Sequence, residues 1–346
     1  MSVLDPFGLR RVVRPQAALP QAAEVLDPSL PLADDELELD VDHLNIDAAS
    51  FRQIEAEQGH DLARIAARIR EIVGARGKMH NPVTGSGGML IGRVRTVGPK
   101  HPAFGKLQAG DRVATLVSLT LTPLVLDSID AVHAHAERLD VKGRAILFAS
   151  GIFARLPDDF PDAVALAIFD VCGAPAWVSR LTKPGQTVLV LGAGKSGSLA
   201  AAAAKERVGP TGRVLALDLR LDGPRRLVSE GLADRALAAD ATRPIDVYET
   251  VRAATGGAMC DLVVNCASVP GTEMGSILST REGGEVLFFS MATSFTAAAL
   301  GAEGCGKDVR LTIGNGYAAN HADDALALVR RTPALRAMFE DRARGG

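Results

Sequence analysis

TVLVLGAGKSGSLAAAAAK, residues 187–205, decides the fold of this 346-residue chain. An apolar run ends in a glycine-punctuated turn and passes into an alanine-rich segment, a pattern that predicts strand, tight turn and helix. Gly192, Gly194 and Gly197 fit the spacing G-x-G-x-x-G. In a βαβ unit the first glycine turns the chain sharply, the second lets backbone approach a pyrophosphate, and the third lets helix pack closely on strand. The helix N-terminus, at Lys195, Ser196 and Gly197, then offers free N–H groups and a positive dipole end to that anion. A glycine turn that serves packing alone is the competing reading, and context decides between them.

A second strand, residues 212–218 (GRVLALD), ends in Asp218, 21 residues beyond Gly197, near the roughly 20-residue offset of a ribose-binding acid. Its carboxylate can accept both ribose hydroxyls and repels a 2′-phosphate, so NAD is the expected cofactor. NADP stays possible, because Leu219 is followed by Arg220, with Arg225 and Arg226 behind it. Further strands are expected at 235–239, 261–266, 285–290 and 309–313, with helices at 245–254 and 271–280. Strands alternating with helices predict an α/β fold with a doubly wound parallel sheet. Ligands of such sheets lie across the carboxyl ends of the strands, which places Asn265, Cys266, Ala267 and Ser290 beside the cofactor.

Upstream the texture differs. Prolines at 6, 15, 20, 28 and 31 suit an extended segment. Residues 36–46 alternate apolar and polar as a half-buried strand does, whereas Ile54, Leu62, Ile65, Ile69 and Ile72 fall at helical spacing. Strands follow at 89–97 and within 107–119. From Asp159 a long helical pattern runs to Leu181, with an expected break at Gly173–Pro175. Three regions result: 1–165, a mainly β domain with a helical insertion at 51–77; 166–316, the dinucleotide domain; and 317–346, a helical tail expected to return to the first.

A net charge of −3, with acids and bases mixed, supplies no basic face for nucleic acid and no polybasic membrane patch. No apolar run nears the roughly 20 residues of a membrane span, and MSVLDPFGLRRVV lacks the layout of a signal peptide. A cytoplasmic protein with a small-molecule partner is expected. Cysteines 172, 260, 266 and 305 form no C-x-x-C pair, so reduced, buried thiols are expected rather than disulfides or a zinc lobe. His133 and His135 share a face only if extended, and are read as structural. A homo-oligomer is expected, with the last sheet strand free to pair across a two-fold axis.

GGMLIGRVRTVG (87–98) and AGDRVATL (109–116) are similar to the G-H-E-x-x-G-x-V strand and G-D-x-V turn of the medium-chain dehydrogenase/reductase superfamily. There a GroES-like catalytic domain precedes a Rossmann domain, and the resemblance implies that order here. Gly88 stands where a zinc-ligand histidine would be, Met89 at the neighbouring glutamate, and Asp47 at the first zinc-ligand cysteine. Glycine and methionine cannot hold catalytic zinc, so a metal-free site is implied. LNIDAASFRQIEAEQGHD (44–61), RGKMHNPVTGSGGMLIG (76–92) and GAPAWVSRLTKPGQTVLVLGAGKSG (173–197) resemble the L-erythro-3,5-diaminohexanoate dehydrogenase family, which acts in lysine fermentation. The resemblance implies NAD(P)-dependent oxidative deamination of that diamino acid to 5-amino-3-oxohexanoate and ammonia.

Such chemistry needs a base, because hydride leaves C3 only when its amine is neutral, and an acid for the departing ammonia. The C5 ammonium and C1 carboxylate of the substrate need an anion and several donors. Asp47 is the candidate anion or base, its competing reading being a helix cap, and Ser50 shares that ambiguity. His80 is the candidate proton shuttle, since a free imidazole titrates at about 6.5. Asn81, Thr84, Ser86 and the glycine amides of 85–88 are candidates for the substrate's polar groups, with Lys78 and Arg52 as alternatives. Rival functions are a zinc-free quinone or enoyl-thioester reductase and an NAD-sensing binding protein without turnover.

Overall fold

The computed structural model describes residues 4–29 and 31–345. The chain divides into two compact units, with the boundary between Asp159 and Phe160.

The first unit opens with a short antiparallel pair, β1 (Val12–Arg14) and β2 (Val25–Leu26). Arg11 ties it down, its buried guanidinium donating to both oxygens of Glu36 at 2.9 and 2.6 Å. There follow β3 (Glu36–Asn45), α1 (Ala48–Glu57), α2 (Leu62–Arg76), β4 (Met89–Val97), β5 (Arg112–Thr115), β6 (Leu124–His133), β7 (Arg138–Phe148) and β8 (Phe153–Arg155). Six of these strands form an antiparallel sheet in the order β6-β7-β3-β4-β5-β8. Leu37, Leu39 and Val41 of β3 point to the core, and a register shift between Val41 and His43 changes the parity so that Leu44 and Ile46 point there too. Phe51 and Ile54 from α1, with Ile65, Ile69 and Ile72 from α2, close the same core. The insertion expected from helical spacing is therefore two helices, the second capped by Asp61 and ended by Gly77 at φ 65°.

The second unit holds α3 (Asp162–Phe169), α4 (Gly173–Leu181), β9 (Thr187–Leu191), α5 (Lys195–Val208), β10 (Arg213–Asp218), α6 (Asp222–Ser229) and β11 (Arg235–Ala238). It continues with α7 (Pro244–Thr255), β12 (Cys260–Asn265), α8 (Glu273–Leu278), β13 (Thr280–Phe288), α9 (Phe295–Gly304), β14 (Arg310–Ile313), α10 (His321–Arg331) and α11 (Pro333–Gly345). All six strands are parallel, in the order β11-β10-β9-β12-β13-β14. The order reverses between β9 and β12, the switch point where doubly wound sheets take their ligands.

Two expectations need correction. The bend between α3 and α4, 45°, falls at Asp170–Cys172 rather than at Gly173–Pro175. Pro175 is the third residue of α4, where its missing N–H has no intrahelical acceptor in any case. Within the second unit, α10 and α11 of the tail pack on α3, α4 and α5 and on each other. Cys305 is exposed, whereas Cys172 and Cys260 are buried and Cys266 is half-buried; all four are free thiols. Among the described residues no single helix is long and apolar enough to cross a membrane.

Candidate active site

In the second unit the glycine turn takes the shape its sequence demands. Gly192 adopts φ 90°, and a Cβ there would lie 3.0 Å from the Ala267 nitrogen at the end of β12. A Cβ on Gly197 would lie 1.7 Å from the Gly192 carbonyl oxygen, so only glycine lets α5 start this close to β9. A Cβ on Gly194 would meet nothing within 4 Å. The middle glycine thus borders open space, as a backbone that receives an anion requires. Gly194 is the N-cap of α5, and the helix begins at Lys195, Ser196 and Gly197, whose amides precede the first intrahelical hydrogen-bond acceptor. The residues fit a dinucleotide pyrophosphate. The Lys195 ammonium itself pairs with Asp170 at 2.6 Å.

Asp218 closes β10 beside this turn. Its Oδ2 accepts from the Ala193 N–H and its Oδ1 from the Leu219 N–H, both at 2.7 Å. Each oxygen keeps a second lone pair for a ribose hydroxyl. Leu219 and Arg220 are exposed beyond it, while Arg226 is paired with Asp341 of α11 at 2.5 Å. Arg342, which no sequence signal distinguished from its charged neighbours, donates from Nη2 to the Ala193 carbonyl at 3.2 Å.

The strand ends correct one expectation. Asn265 is fully buried, and its amide is spent inward: Nδ2 donates to Thr272 Oγ1 at 2.8 Å and Ser276 Oγ at 3.0 Å, and Oδ1 accepts from the Ala267 N–H at 3.1 Å. It builds the β12–α8 turn rather than meeting a ligand. Ser290 has a similar local use, its Oγ accepting from the Ala292 N–H at 3.2 Å. Burial pushes the Cys266 thiol up to about 12, so it stays protonated at neutral pH.

In the first unit Asp47 is the N-cap of α1, with Oδ1 accepting from the Ser50 N–H at 3.0 Å. Its Oδ2 is buried and has no hydrogen-bond partner. The cap reading is therefore realised in Oδ1, while Oδ2 is left for another partner. Ser50 is no cap. Its fully buried hydroxyl meets Thr84 Oγ1 at 2.5 Å and Ser86 Oγ at 2.9 Å, and those two lie 3.2 Å apart. This triangle of hydroxyls joins the polar loop 78–88 to α1.

Asn81 holds the same loop from inside. It is fully buried, donating to Gln53 Oε1 at 2.9 Å and to the Ser50 carbonyl at 3.4 Å, and accepting from the Val83 N–H at 2.8 Å. With its amide so committed it is a loop organiser rather than a substrate contact. The Gly85 N–H is likewise spent on the Asn81 carbonyl at 2.9 Å. Lys78, an alternative for the substrate carboxylate, is also redirected. Its buried ammonium donates to the carbonyls of Thr120, Pro20 and Gln21 at 2.6, 2.8 and 3.4 Å, and burial lowers its pKa to about 8.

His80 differs from a free imidazole. Burial, then the charges of Lys78 and Arg76, pull it down to about 4, and its Nδ1 is buried without a partner. At neutral pH it is an uncharged base, not a group poised at its own titration point. Gly88 leaves no room for a side chain: at φ 108°, a Cβ would lie 2.0 Å from the Asn45 carbonyl oxygen and 2.8 Å from the Asp47 nitrogen. Asp140, His43 and His133 do meet, at 2.9 and 2.7 Å, as a hydrogen-bonded cluster. Among the described residues no group of three His, Cys, Asp or Glu side chains is arranged to hold a metal ion.

An antiparallel β unit followed by a Rossmann sheet with its glycine turn defines the class, the medium-chain dehydrogenase/reductase fold. An alcohol dehydrogenase from Thermus sp. ATN1 is similar to this chain at a TM-score of 0.54 and 20% identity, over 93% of this chain and 91% of its own. Sequence then narrows the class. A family model described as the L-erythro-3,5-diaminohexanoate dehydrogenase N-terminal domain matches residues 10–157. L-erythro-3,5-diaminohexanoate dehydrogenase of Acetoanaerobium sticklandii is 50% identical over 96% of this chain and 97% of its own length. The protein of that name from Fusobacterium nucleatum subsp. nucleatum is 48% identical over 97% of each. The chain belongs to the L-erythro-3,5-diaminohexanoate dehydrogenase family, and it is an oxidoreductase.

Proposed function

We propose that this chain oxidises L-erythro-3,5-diaminohexanoate at C3, with NAD as acceptor, to 5-amino-3-oxohexanoate. One water enters; one ammonium ion, one proton and the reduced dinucleotide leave. The observation that carries the reading is that Oδ2 of Asp47, at the start of α1, and Nδ1 of His80, in the loop that Ser50, Thr84 and Ser86 join to α1, are each buried without a hydrogen-bond partner. An unpaired buried polar group costs roughly 1–3 kcal/mol, and a catalytic or binding role is one reason such a group is kept.

The nicotinamide supplies the hydride acceptor when bound. The chain supplies the rest. Gly192, Gly194 and the first amides of α5 hold the pyrophosphate, and Asp218 takes the ribose hydroxyls, which favours NAD over NADP. Neutral His80 accepts a proton from the C3 ammonium, freeing the lone pair that drives hydride departure, and returns it as water attacks and ammonia leaves. Asp47 Oδ2 takes the C5 ammonium, a charged hydrogen bond of about 1.5–3 kcal/mol. Thr84 and Ser86 present hydroxyls to the carboxylate.

Purified protein mixed with NAD and L-erythro-3,5-diaminohexanoate tests this, with reduced dinucleotide and free ammonium followed together. Equal amounts of both are expected. Turnover of quinones or enoyl thioesters with no ammonium from the diamino acid would instead support a reductase. Dinucleotide binding without any turnover would support a sensor.

A further inference from the structure

Ala193, between the first two glycines of the turn, is gripped at both of its backbone groups by charged side chains from different elements. Its N–H goes to Asp218 Oδ2 at 2.7 Å, and its carbonyl accepts from Arg342 Nη2 at 3.2 Å. The same Nη2 reaches Ser198 Oγ in α5 at 3.3 Å. Arg342 comes from α11, the last helix, which packs on α3, α5 and α10. The adjacent Asp341 fastens that helix to Arg226 of α6. Nη1 of Arg342 is buried and has no partner.

A trans peptide is planar, so its carbonyl and the following N–H point in opposite directions. Holding the Ala193 carbonyl toward α11 therefore turns the Gly194 N–H the other way. Gly194 is the glycine that borders open space. We propose that Arg342 is a positioning residue for the dinucleotide: by fixing the peptide between Ala193 and Gly194 it aims the Gly194 amide at the pyrophosphate and adds positive potential beside it. The C-terminal helix thus sets cofactor affinity without touching the cofactor. This inference rests on the dinucleotide reading of the turn.

Full-length protein carrying Arg342→Met or Arg342→Lys provides the test, with NAD dissociation constants by calorimetry, steady-state constants, and melting temperature of the cofactor-free protein. Losing a charged hydrogen bond predicts NAD binding about tenfold weaker in Arg342→Met and about threefold weaker in Arg342→Lys. The KM for NAD rises in step, while kcat and the KM for the diamino acid stay within about twofold. NAD affinity equal to wild type in either folded variant overturns the proposal, as does a loss that falls equally on kcat and both KM values. Should Arg342→Met fail to fold, Arg342→Lys, which keeps the charge and the stem, decides the matter. A wild-type protein that binds no nicotinamide dinucleotide would overturn the reading beneath it as well.

Discussion

Asp47 shows how one side chain serves fold and chemistry through separate atoms. Oδ1 caps α1, and Oδ2 is left buried and unpaired. Asp47→Asn keeps a capping oxygen, so stability should change by less than about 1 kcal/mol while the KM for the diamino acid rises about tenfold or more and NAD affinity holds. A fully active variant would remove Asp47 from the mechanism. His80 makes a second claim at this scale. With its folded pKa near 4, below that of an unfolded imidazole, the unfolded chain binds more protons between about pH 4 and pH 6.5. Acidification through that window therefore lowers stability, and an NMR titration of the His80 ring should show a midpoint near 4. A midpoint near 6.5 would contradict the burial argument. For Asp218→Ala, NAD affinity should drop by about tenfold or more while NADP affinity changes by less than about threefold. Equal losses would show that the carboxylate does not meet the ribose.

At the scale of elements, the dinucleotide turn was legible because its constraints are local. Glycine is required at 192 by a positive φ and at 197 by a carbonyl 1.7 Å away, and both requirements leave a mark in sequence. The loop 78–88 was legible as a polar, glycine-rich stretch, but the duties of its members were not. Asn81 and Lys78 find their partners 28 to 58 residues away, and residue type alone does not reveal a partner so distant. Two helices escaped notice for a different reason. α6 carries Gly223 and Pro224 in its first turn, and α9, FTAAALGAEG, consists largely of small residues with little periodicity. The structural assignment of Lys78 is open to test by Lys78→Met. The change strands three carbonyls around an apolar tip and should cost about 2–4 kcal/mol in a denaturant titration. A cost below about 0.5 kcal/mol would show those bonds to be dispensable.

For the molecule as a whole, the order of the two units followed from where the glycine turn lies and from the strand segments ahead of it. Their boundary, at Asp159, lies where the composition turns from strand-like to helical, six residues ahead of the 165/166 division expected from sequence. In the tail, an amphipathic helix declares that it has an apolar face, not which neighbour will cover it. Here the face is taken by α3 and α5, which brings Arg342 to the glycine turn. The central claim about the assembled molecule is chemical, that the hydrogen on C3 of a diamino acid departs as hydride. Substrate carrying deuterium at C3 tests it most directly. The account predicts that the deuterium appears on the reduced nicotinamide, one for each ammonium released, with slowed turnover wherever hydride transfer limits the rate. Deuterium recovered in solvent, or retained on the carbon skeleton while ammonium is released, would contradict it.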